Sequence, residues 1–231
     1  MSSSSRARSV SSPLTASANI VRQRPSGTGA MPIASGEIWF DGTRIDQLPA
    51  WERAHLGLGR TFQITRLFHD MTVLENVVAP LRTFSWAQLN SGAVSGPEAA
   101  RAEELLEFVG MRRYLDQKAR ALSYGQQKLL ELAQILMLDP KLIMLDEPAG
   151  GINPTLIERI GGMIRELNAR GKTFLIVEHN MPFVLGLCNP VLVLARGQTI
   201  ARGAPDEIQR DPQVLDAYLG EDFRTEQPVG A

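Results

Sequence analysis

The chain has 231 residues, enough for one substantial domain or two small ones, with 44% hydrophobic and 21% charged residues as in ordinary globular proteins. Its formal net charge of −1 excludes a global basic field, so no nucleic-acid partner is expected. The single cysteine, Cys188, excludes an internal disulfide framework and is typical of a reducing compartment. No apolar run reaches the roughly 18 residues that cross a bilayer, so any membrane role is expected to be peripheral, through a partner.

The N-terminal segment, residues 1–34, is predicted to be disordered or non-native. It is rich in serine, contains no acidic residue and shows no sustained hydrophobic period. Its charges are four arginines, Arg6, Arg8, Arg22 and Arg24. Such a segment has too little apolar surface to offset the entropy of ordering. A serine- and arginine-rich, acid-poor start also resembles an organelle transit peptide, and the simpler alternative is a misplaced start or a frameshift.

From Ser35 onward the pattern predicts regular elements. Glu37–Ile45 predicts a hairpin that turns at Asp41-Gly42, because two short apolar runs flank this pair. Thr72 is a plausible N-cap with Glu75 at the capping-box position. The elements predicted up to the middle of the chain are a helix over Trp51–Leu58, a strand over Gly57–Gln63 leading into a loop, helices over Val73–Ala79, Glu98–Val109 and Arg112–Ala121, and a loop over Ser91–Gly96.

The second half alternates helices and strands. Ser123 opens a helix whose apolar residues recur at helical spacing from Leu129 to Met137. Three apolar runs predict buried strands: Leu142–Leu145, Thr173–Val177 and Pro190–Ala195. The other predicted elements are a helix over Pro154–Ala169 ended by Gly171, a turn at Gly197 into Gln198–Arg202, and terminal helices over Pro205–Gln209 and Pro212–Leu219. This alternation indicates an α/β domain with a largely parallel sheet.

Chemistry-bearing side chains follow two of these strands. Asp146 and Glu147 end one strand and His179 follows another, at the sheet edge where ligands of parallel α/β folds bind. Because neighbouring residues on a strand face opposite sides, Asp146 could hold Mg²⁺ while Glu147 orients or deprotonates a water. His179 could contact a γ-phosphate. Alternatively, the carboxylates begin a helix and His179 is structural, the interpretation we favour for His55 and His69.

The segment Leu122–Gln126 has an anion-binding composition. Ser123 supplies a hydroxyl, Gly125 lets a phosphate approach the backbone, and the helix N-terminus attracts negative charge. The alternative is a simple serine N-cap without a ligand. Gln126 and the short spacing to Asp146 favour the ligand-binding interpretation.

In this order the motifs resemble those of ATP-binding-cassette (ABC) ATPases. Leu122–Gln126 is similar to the signature motif, and Leu142–Pro148 is similar to Walker B. Within the family, the chain most resembles the ATP-binding subunit of branched-chain amino acid importers. Three further segments carry this closer resemblance: Gly59–Gln63, Leu67–Asn76 and Asp216–Gly220.

The resemblance implies an ABC ATPase domain over 35–231, with a P-loop NTPase-like parallel sheet and a helical subdomain at about 72–122. It implies that Gln63 is the Q-loop glutamine, which touches Mg²⁺ and water, and that Asn153 belongs to the D-loop. It also implies ATP and Mg²⁺ as cofactors and two cassettes arranged head to tail, each ATP lying between one P-loop and the other subunit's signature. The expected partners are membrane subunits, at the cytoplasmic face of the plasma (inner) membrane.

One family motif is not matched. A phosphate-binding loop reads G-x-x-x-x-G-K-[ST] between a strand and a helix, and the nearest candidate is Arg24–Met31. There Arg24, Ala30 and Met31 replace the first glycine, the lysine and the hydroxyl residue. The expected fold therefore lacks the P-loop strand and helix, which leads to the hypothesis that the chain is an N-terminally incomplete reading of an ATPase subunit with impaired activity.

Other assignments remain open at this point. The chain could be a non-hydrolytic partner that lends Ser123 and Gly125 to another subunit's ATP. Related cassettes serve urea uptake or lipopolysaccharide export, so the cargo rests on the resemblance alone. A soluble ABC-type ATPase of DNA repair or translation is a further class, which the short interval between Gln63 and Ser123 disfavours.

Overall fold

The computed structural model of the protein describes residues 36–62, 65–81 and 96–217. The segment 1–34, the candidate phosphate loop, Gln63 and the loop predicted before Gly96 lie outside these ranges. Within them, no helix is long and apolar enough to cross a membrane.

Helices and strands alternate along the described chain. The strands are β1 (Trp39–Phe40), β2 (Thr43–Arg44), β3 (Leu58–Arg60), β4 (Leu142–Asp146), β5 (Thr173–Val177), β6 (Val191–Ala195) and β7 (Gln198–Gly203). The helices are α1 (Ala50–His55), α2 (Val73–Val78), α3 (Gly96–Phe108), α4 (Tyr124–Leu136), α5 (Pro154–Ala169), α6 (Met181–Leu187) and α7 (Pro205–Ile208). A last helical stretch covers 212–217.

A parallel sheet in the order β3-β4-β5 forms the centre of the fold, which confirms the predicted mixed α/β architecture. Leu58 pairs with Leu142, and Asp146 at the end of β4 pairs with Val177 at the end of β5. Ile143 and Leu145 are buried, as expected for a strand covered on both faces. The carboxyl ends of all three strands therefore meet at one edge of the sheet.

The strand predicted over Pro190–Ala195 does not join this sheet. It begins at Val191 as β6 and pairs antiparallel with β7, and four of its five residues are only half-buried. A β-hairpin explains this outcome, because Arg196 and Gly197 both adopt the left-handed conformation that a tight turn between adjacent strands requires. The apolar run was therefore a sound indicator of a strand but not of its partner.

The helix predicted over Arg112–Ala121 is wrong. The segment contains two single 3-10 turns, Arg112–Tyr114 and Ala119–Ala121. The backbone between them pairs with another segment: Val73 N–H donates to the Gln117 carbonyl at 2.9 Å, and Ala119 N–H donates to the Met71 carbonyl at 3.0 Å. Tertiary hydrogen bonds thus satisfy the groups that a continuous helix would have used.

One predicted helix ends a few residues early in the structure, and one helix was not predicted. The helix predicted over Trp51–Leu58 ends at His55, because Leu58 already opens β3. Helix α6, which begins at the N-cap Asn180, had no counterpart among the predicted elements. Helix α5 and strand β5 coincide with their predicted ranges.

Helix α4 packs across the core and carries polar side chains into it. Leu129, Leu130 and Leu132 are at most 4% exposed, yet Lys128 and Glu131 between them are only 8% and 5% exposed. A helix with charges on its buried face must satisfy them locally. These two side chains lie next to the sheet edge where β3, β4 and β5 end, as the site geometry below shows.

Asn76 on α2 is the buried polar group that fixes the segment before it. The side chain is fully buried; its Oδ1 accepts from Phe68 N–H at 2.8 Å, and its Nδ2 donates to the carbonyls of Phe68 at 3.0 Å and Thr72 at 2.9 Å. The side chain thereby satisfies backbone groups of Phe68 and Thr72.

We expect Asn76→Ala to lower the free energy of unfolding by about 2–3 kcal/mol, because it removes a fully buried side chain and leaves the partly buried N–H and carbonyl of Phe68 without this partner. Urea denaturation followed by circular dichroism measures this. Glu104→Ala on the exposed face of α3 is the matched control and should change stability by less than about 0.5 kcal/mol. Equal losses for the two variants would contradict the assignment.

Candidate functional site

Glu147 and His179 face each other at the carboxyl edge of the parallel sheet. His179 Nδ1 lies 3.8 Å from Glu147 Oε1, with side chains 75% and 32% exposed. The two line one cleft of about 410 Å³ together with residues of α4 and of the loop after β4: Tyr124, Lys128, Gly150 and Gly151. The structure thus brings together two of the side chains singled out from the sequence, and their orientation leaves both accessible to a ligand.

Asp146 occupies the last position of β4, and its side chain lies near Arg60 rather than beside Glu147 and His179. Its backbone N–H donates to Thr61 Oγ1 at 3.0 Å, and its Oδ2 lies 3.6 Å from Arg60 Nη2, with the side chain 34% exposed. Among the described residues, no cluster of three or more His, Cys, Asp or Glu could hold a metal. A single partly exposed carboxylate is nevertheless the donor that suits Mg²⁺, which keeps water and phosphate oxygens as its other ligands. Asp146 therefore fits such an ion.

The backbone at Glu147 is strained and held from two sides. Its φ of +49° lies in the left-handed region, which costs a non-glycine residue about 1 kcal/mol or more. Its N–H donates to the Val177 carbonyl at 2.9 Å, and its own carbonyl accepts from Lys128 Nζ at 2.6 Å. This turn directs the Glu147 side chain out of the strand line and toward His179.

Glu178 organises the loop that presents His179. Its side chain is fully buried, and its two oxygens accept from three backbone N–H groups: Ala149 at 2.7 Å, His179 at 2.8 Å and Asn180 at 2.9 Å. The Ala149 bond ties the loop after β5 to the loop after β4. Sequence reasoning gave Glu178 no role, although an acidic residue directly after a buried strand was visible.

Ser123 and Gln126 form a reciprocal capping box at the start of α4. Ser123 N–H donates to Gln126 Oε1 at 2.8 Å, Gln126 N–H donates to Ser123 Oγ at 3.4 Å, and Gln126 Nε2 donates to the Tyr114 hydroxyl at 2.8 Å. The N-cap interpretation of Ser123 is therefore correct as local structure. It does not compete with ligand binding, because Ser123 is exposed at the helix terminus.

Gly125 has a packing reason to be glycine. A Cβ at this position would lie 2.5 Å from Leu156 Cδ2 on α5, too close for any side chain without a shift. Asn153 likewise has a structural role, since its Oδ1 caps α5 by accepting from Leu156 N–H at 2.9 Å. Neither residue lines the cleft that holds Glu147 and His179.

The two remaining histidines lie outside this cleft. A ring nitrogen of His55 is 2.6 Å from the Trp51 carbonyl, one turn earlier on α1, and its ring stands edge-on to the indole at 6.0 Å between centroids. His69 accepts a backbone hydrogen bond from Arg120. Both environments fit the structural interpretation.

Three side chains of α4 were missed by sequence reasoning. Gln127, Lys128 and Glu131 point from the helix to the ends of β3 and β4: Thr65 Oγ1 donates to Gln127 Oε1 at 3.2 Å, and Phe62 N–H donates to Glu131 Oε1 at 3.1 Å. The sequence signal that could have indicated them is the pair of charged residues, Lys128 and Glu131, among the apolar residues of this helix. Helical periodicity alone would place such charged residues on the solvent face.

Burial shifts the titration of two of these groups. It raises the pKa of Glu131 from 4.5 to about 7, while hydrogen bonds from the Phe62 and Arg66 backbone and the charge of Lys128 oppose the shift. Burial also lowers the pKa of Lys128, against the attraction of Glu131 and other nearby carboxylates. Burial therefore disfavours the charged form of both groups.

Glu131 predicts a specific pH dependence of stability. Between pH 4.5 and pH 7 the folded chain holds a proton on Glu131 that the unfolded chain has lost, so stability falls as pH rises through this window. Glu131→Gln removes the effect, and its stability advantage over the parent chain should grow by up to about 3 kcal/mol from pH 5 to pH 8. Urea denaturation of both chains at the two pH values measures it. A constant difference between them would refute the prediction.

Comparison with known proteins agrees with this geometry. The family model described as ABC transporter matches residues 27–150, and that described as branched-chain amino acid ATP-binding cassette transporter matches residues 198–224. A high-affinity branched-chain amino acid transport ATP-binding protein, LivG of Salmonella typhimurium, is 36% identical over 203 residues, 84% of this chain and 80% of that protein. The lipopolysaccharide export system ATP-binding protein LptB of Acidithiobacillus ferridurans is 35% identical over 189 residues, 82% and 76% of the two chains.

Solved structures show the same fold. The ADP conformation of MJ1267, an ATP-binding cassette of an ABC transporter, superposes with a TM-score of 0.71 at 33% identity, over 84% of this chain and 80% of that one. A dimeric post-hydrolysis state of the cassette MJ0796 bound to ADP and phosphate superposes with a TM-score of 0.64 at 28% identity, over 74% of each chain. The chain belongs to the ATP-binding-cassette family of ABC transporter ATP-binding subunits and is similar to those of branched-chain amino acid transport.

Proposed function

We propose that this protein is the ATP-binding subunit that energises an ABC importer of branched-chain amino acids. The observation that carries the proposal is the facing pair of Glu147 and His179 beside Asp146, at the strand ends where a nucleotide would bind. The match of the C-terminal residues 198–224 to a model specific to branched-chain amino acid cassettes supports the choice of cargo.

Each residue at the strand ends has a distinct role in this proposal. Asp146 holds Mg²⁺, which would neutralise phosphate charge. Glu147 orients or deprotonates the attacking water, and its strained turn aims it at that position. His179, across the 3.8 Å gap, contacts the γ-phosphate. Gln63, by its resemblance to the Q-loop glutamine, touches Mg²⁺ and water.

The N-terminus of α4 serves a second nucleotide. Ser123 and Gly125, with Gln126 fixing the cap, present a hydroxyl and backbone donors to the ATP of a partner cassette. Asn153 holds the D-loop that lies near this junction. The functional unit is then two cassettes, identical or different, bound to membrane subunits at the cytoplasmic face of the plasma (inner) membrane.

We assign residues 35–231 to the ATPase domain and about 72–122 to its helical subdomain. Helices α2 and α3 pack against α4 and against one another, which supports this unit.

The sequence around Arg24–Met31 bears on how the subunit acts. It lacks the lysine and hydroxyl residue of a phosphate loop, so we propose that this chain holds its own ATP weakly. A Gly-Lys-Thr run at 171–173 is no substitute, because it follows α5 and opens β5, the reverse of the strand-loop-helix order. The alternative is a mixed dimer in which this chain donates only its signature.

A mixed dimer with an intact partner cassette tests whether the Ser123 segment acts on the partner's ATP. We expect Ser123→Arg to lower ATP turnover about 100-fold or more, because the side chain fills the position where the partner's phosphates bind. Glu158→Gln on the exposed face of α5 is the control and should leave turnover unchanged. Full activity of the Ser123→Arg dimer would overturn the proposed role.

Glu147→Gln in the same mixed dimer separates the two modes of action. If this chain hydrolyses its own ATP, turnover should fall by about half or more, since one general base is lost. Turnover equal to that of the parent dimer would show that the chain acts only as a signature donor. Colorimetric phosphate release measures both cases.

Cargo is tested by reconstitution with the membrane subunits in vesicles. Leucine uptake driven by ATP is the expected result. Uptake of urea, or extraction of lipopolysaccharide, without leucine uptake would replace the importer assignment with one of those related transport systems.

A further inference from the structure

Two residues one turn apart on α4 hold the loop that follows β3. Glu131 accepts from Phe62 N–H at 3.1 Å and also from the backbone N–H of Arg66, while Gln127 Oε1 accepts from Thr65 Oγ1 at 3.2 Å. Positions four apart lie on the same helix face, so one surface of α4 binds the loop on both sides of residues 63–64.

The same helix also holds the turn at Glu147. Lys128, adjacent to Gln127 and three residues before Glu131, donates to the Glu147 carbonyl at 2.6 Å. Thr61 links the residues after β3 to the end of β4. Its hydroxyl accepts from Asp146 N–H at 3.0 Å, and its own N–H donates to the Met144 carbonyl at 2.9 Å. Helix α4, residues 61–62 and the end of β4 are therefore joined in a ring of partly buried hydrogen bonds that the chain itself closes between Thr61 and Phe62 and between Asp146 and Glu147.

Folding alone does not explain Glu131. The residue is 5% exposed, and burial penalises the ionised form more than its donors compensate. A glutamine of similar size would avoid the cost of ionisation, so ionised Glu131 lowers stability above about pH 7. Residues that cost stability while positioning neighbours are concentrated at functional sites.

We propose that Glu131, assisted by Gln127 and Lys128, is a positioning residue that sets Phe62, Arg66 and the Glu147 turn relative to the signature helix. Glu131 does not touch ATP or water; it acts through its own bonds to the backbone of Phe62 and Arg66. This inference rests on the proposed function for the role of Glu147, whereas the contacts themselves do not.

Amide exchange tests the contacts without requiring activity. Glu131→Gln keeps the volume but replaces a charged acceptor with two oxygens by a neutral amide with one, so the bonds from the Phe62 and Arg66 amides weaken. Hydrogen–deuterium exchange of the peptide covering 60–66 should become on the order of threefold faster or more at pH 8, while that of α2 stays unchanged. Gln134→Ala is the matched control, because its side chain on α4 makes no hydrogen bond within the described ranges. Unchanged exchange over 60–66 in Glu131→Gln would overturn the inference.

Turnover in the complete transporter complex tests the positioning role. With Glu131→Gln we expect kcat to fall about tenfold and the KM for ATP to stay within about threefold, because the loop acts on the reacting groups rather than on the adenosine. The variant should at the same time be more stable than the parent at pH 8, a combination that a merely structural role cannot produce. Faster exchange with unchanged kcat, in a complex that Glu147→Gln inactivates, would overturn the positioning role.

Failure of the proposed function is recognisable separately. If Glu147→Gln has no effect on the complex, this chain does not hydrolyse its own ATP, and exchange over 60–66 alone decides whether Glu131 holds the loop. The two conclusions therefore stand or fall on different measurements.

Discussion

The parallel pairing of β4 with both neighbours is the constraint on which the site depends. Register places Asp146 beside Val177, so the chain leaves β4 and β5 at the same level and Glu147 comes to face His179. Pairing on the other side places the end of β3 beside Met144, which brings Thr61 within reach of Asp146. A slip of one residue on either side would turn these side chains away from each other.

The site is assembled around buried charges that the apolar core does not require. Lys128, Glu131 and Glu178 each take a charge out of water, and each is satisfied chiefly by backbone groups of the loops at the sheet edge. Backbone groups accept or donate at fixed positions, so such charges specify loop geometry more tightly than apolar packing does. These side chains lower stability, but their bonds fix the arrangement of the loops at the sheet edge.

The sequence could predict the elements that local signals determine, but not those that depend on pairing with distant residues. Helix α5 was predictable because Asn153 and Pro154 begin it and Gly171 follows it, all signals within a few residues of the ends. The helix expected over 112–121 was wrong because its backbone bonds to residues 69–73, some 45 positions away in sequence. The facing of Glu147 and His179 followed from strand order, but the left-handed turn at Glu147 and the loop contacts of Glu131 follow only from packing. Glu131 does not belong to the apolar positions of the predicted helix, yet in the structure it is a buried acceptor for Phe62.

The position of Glu131 gives α4 two tasks at different ends. Its N-terminus presents Ser123, whereas Glu131 lies eight residues further on, about 12 Å along a helix that rises 1.5 Å per residue. A helix moves as a unit over this length, and α4 is held by buried leucines on the intervening turns. Lys128 and Glu131 therefore attach the helix that begins at Ser123 to the Glu147 turn and to Phe62. The bond from Asp146 N–H to Thr61 Oγ1 joins these two points of attachment, so the start of α4 and the strand ends form one connected unit.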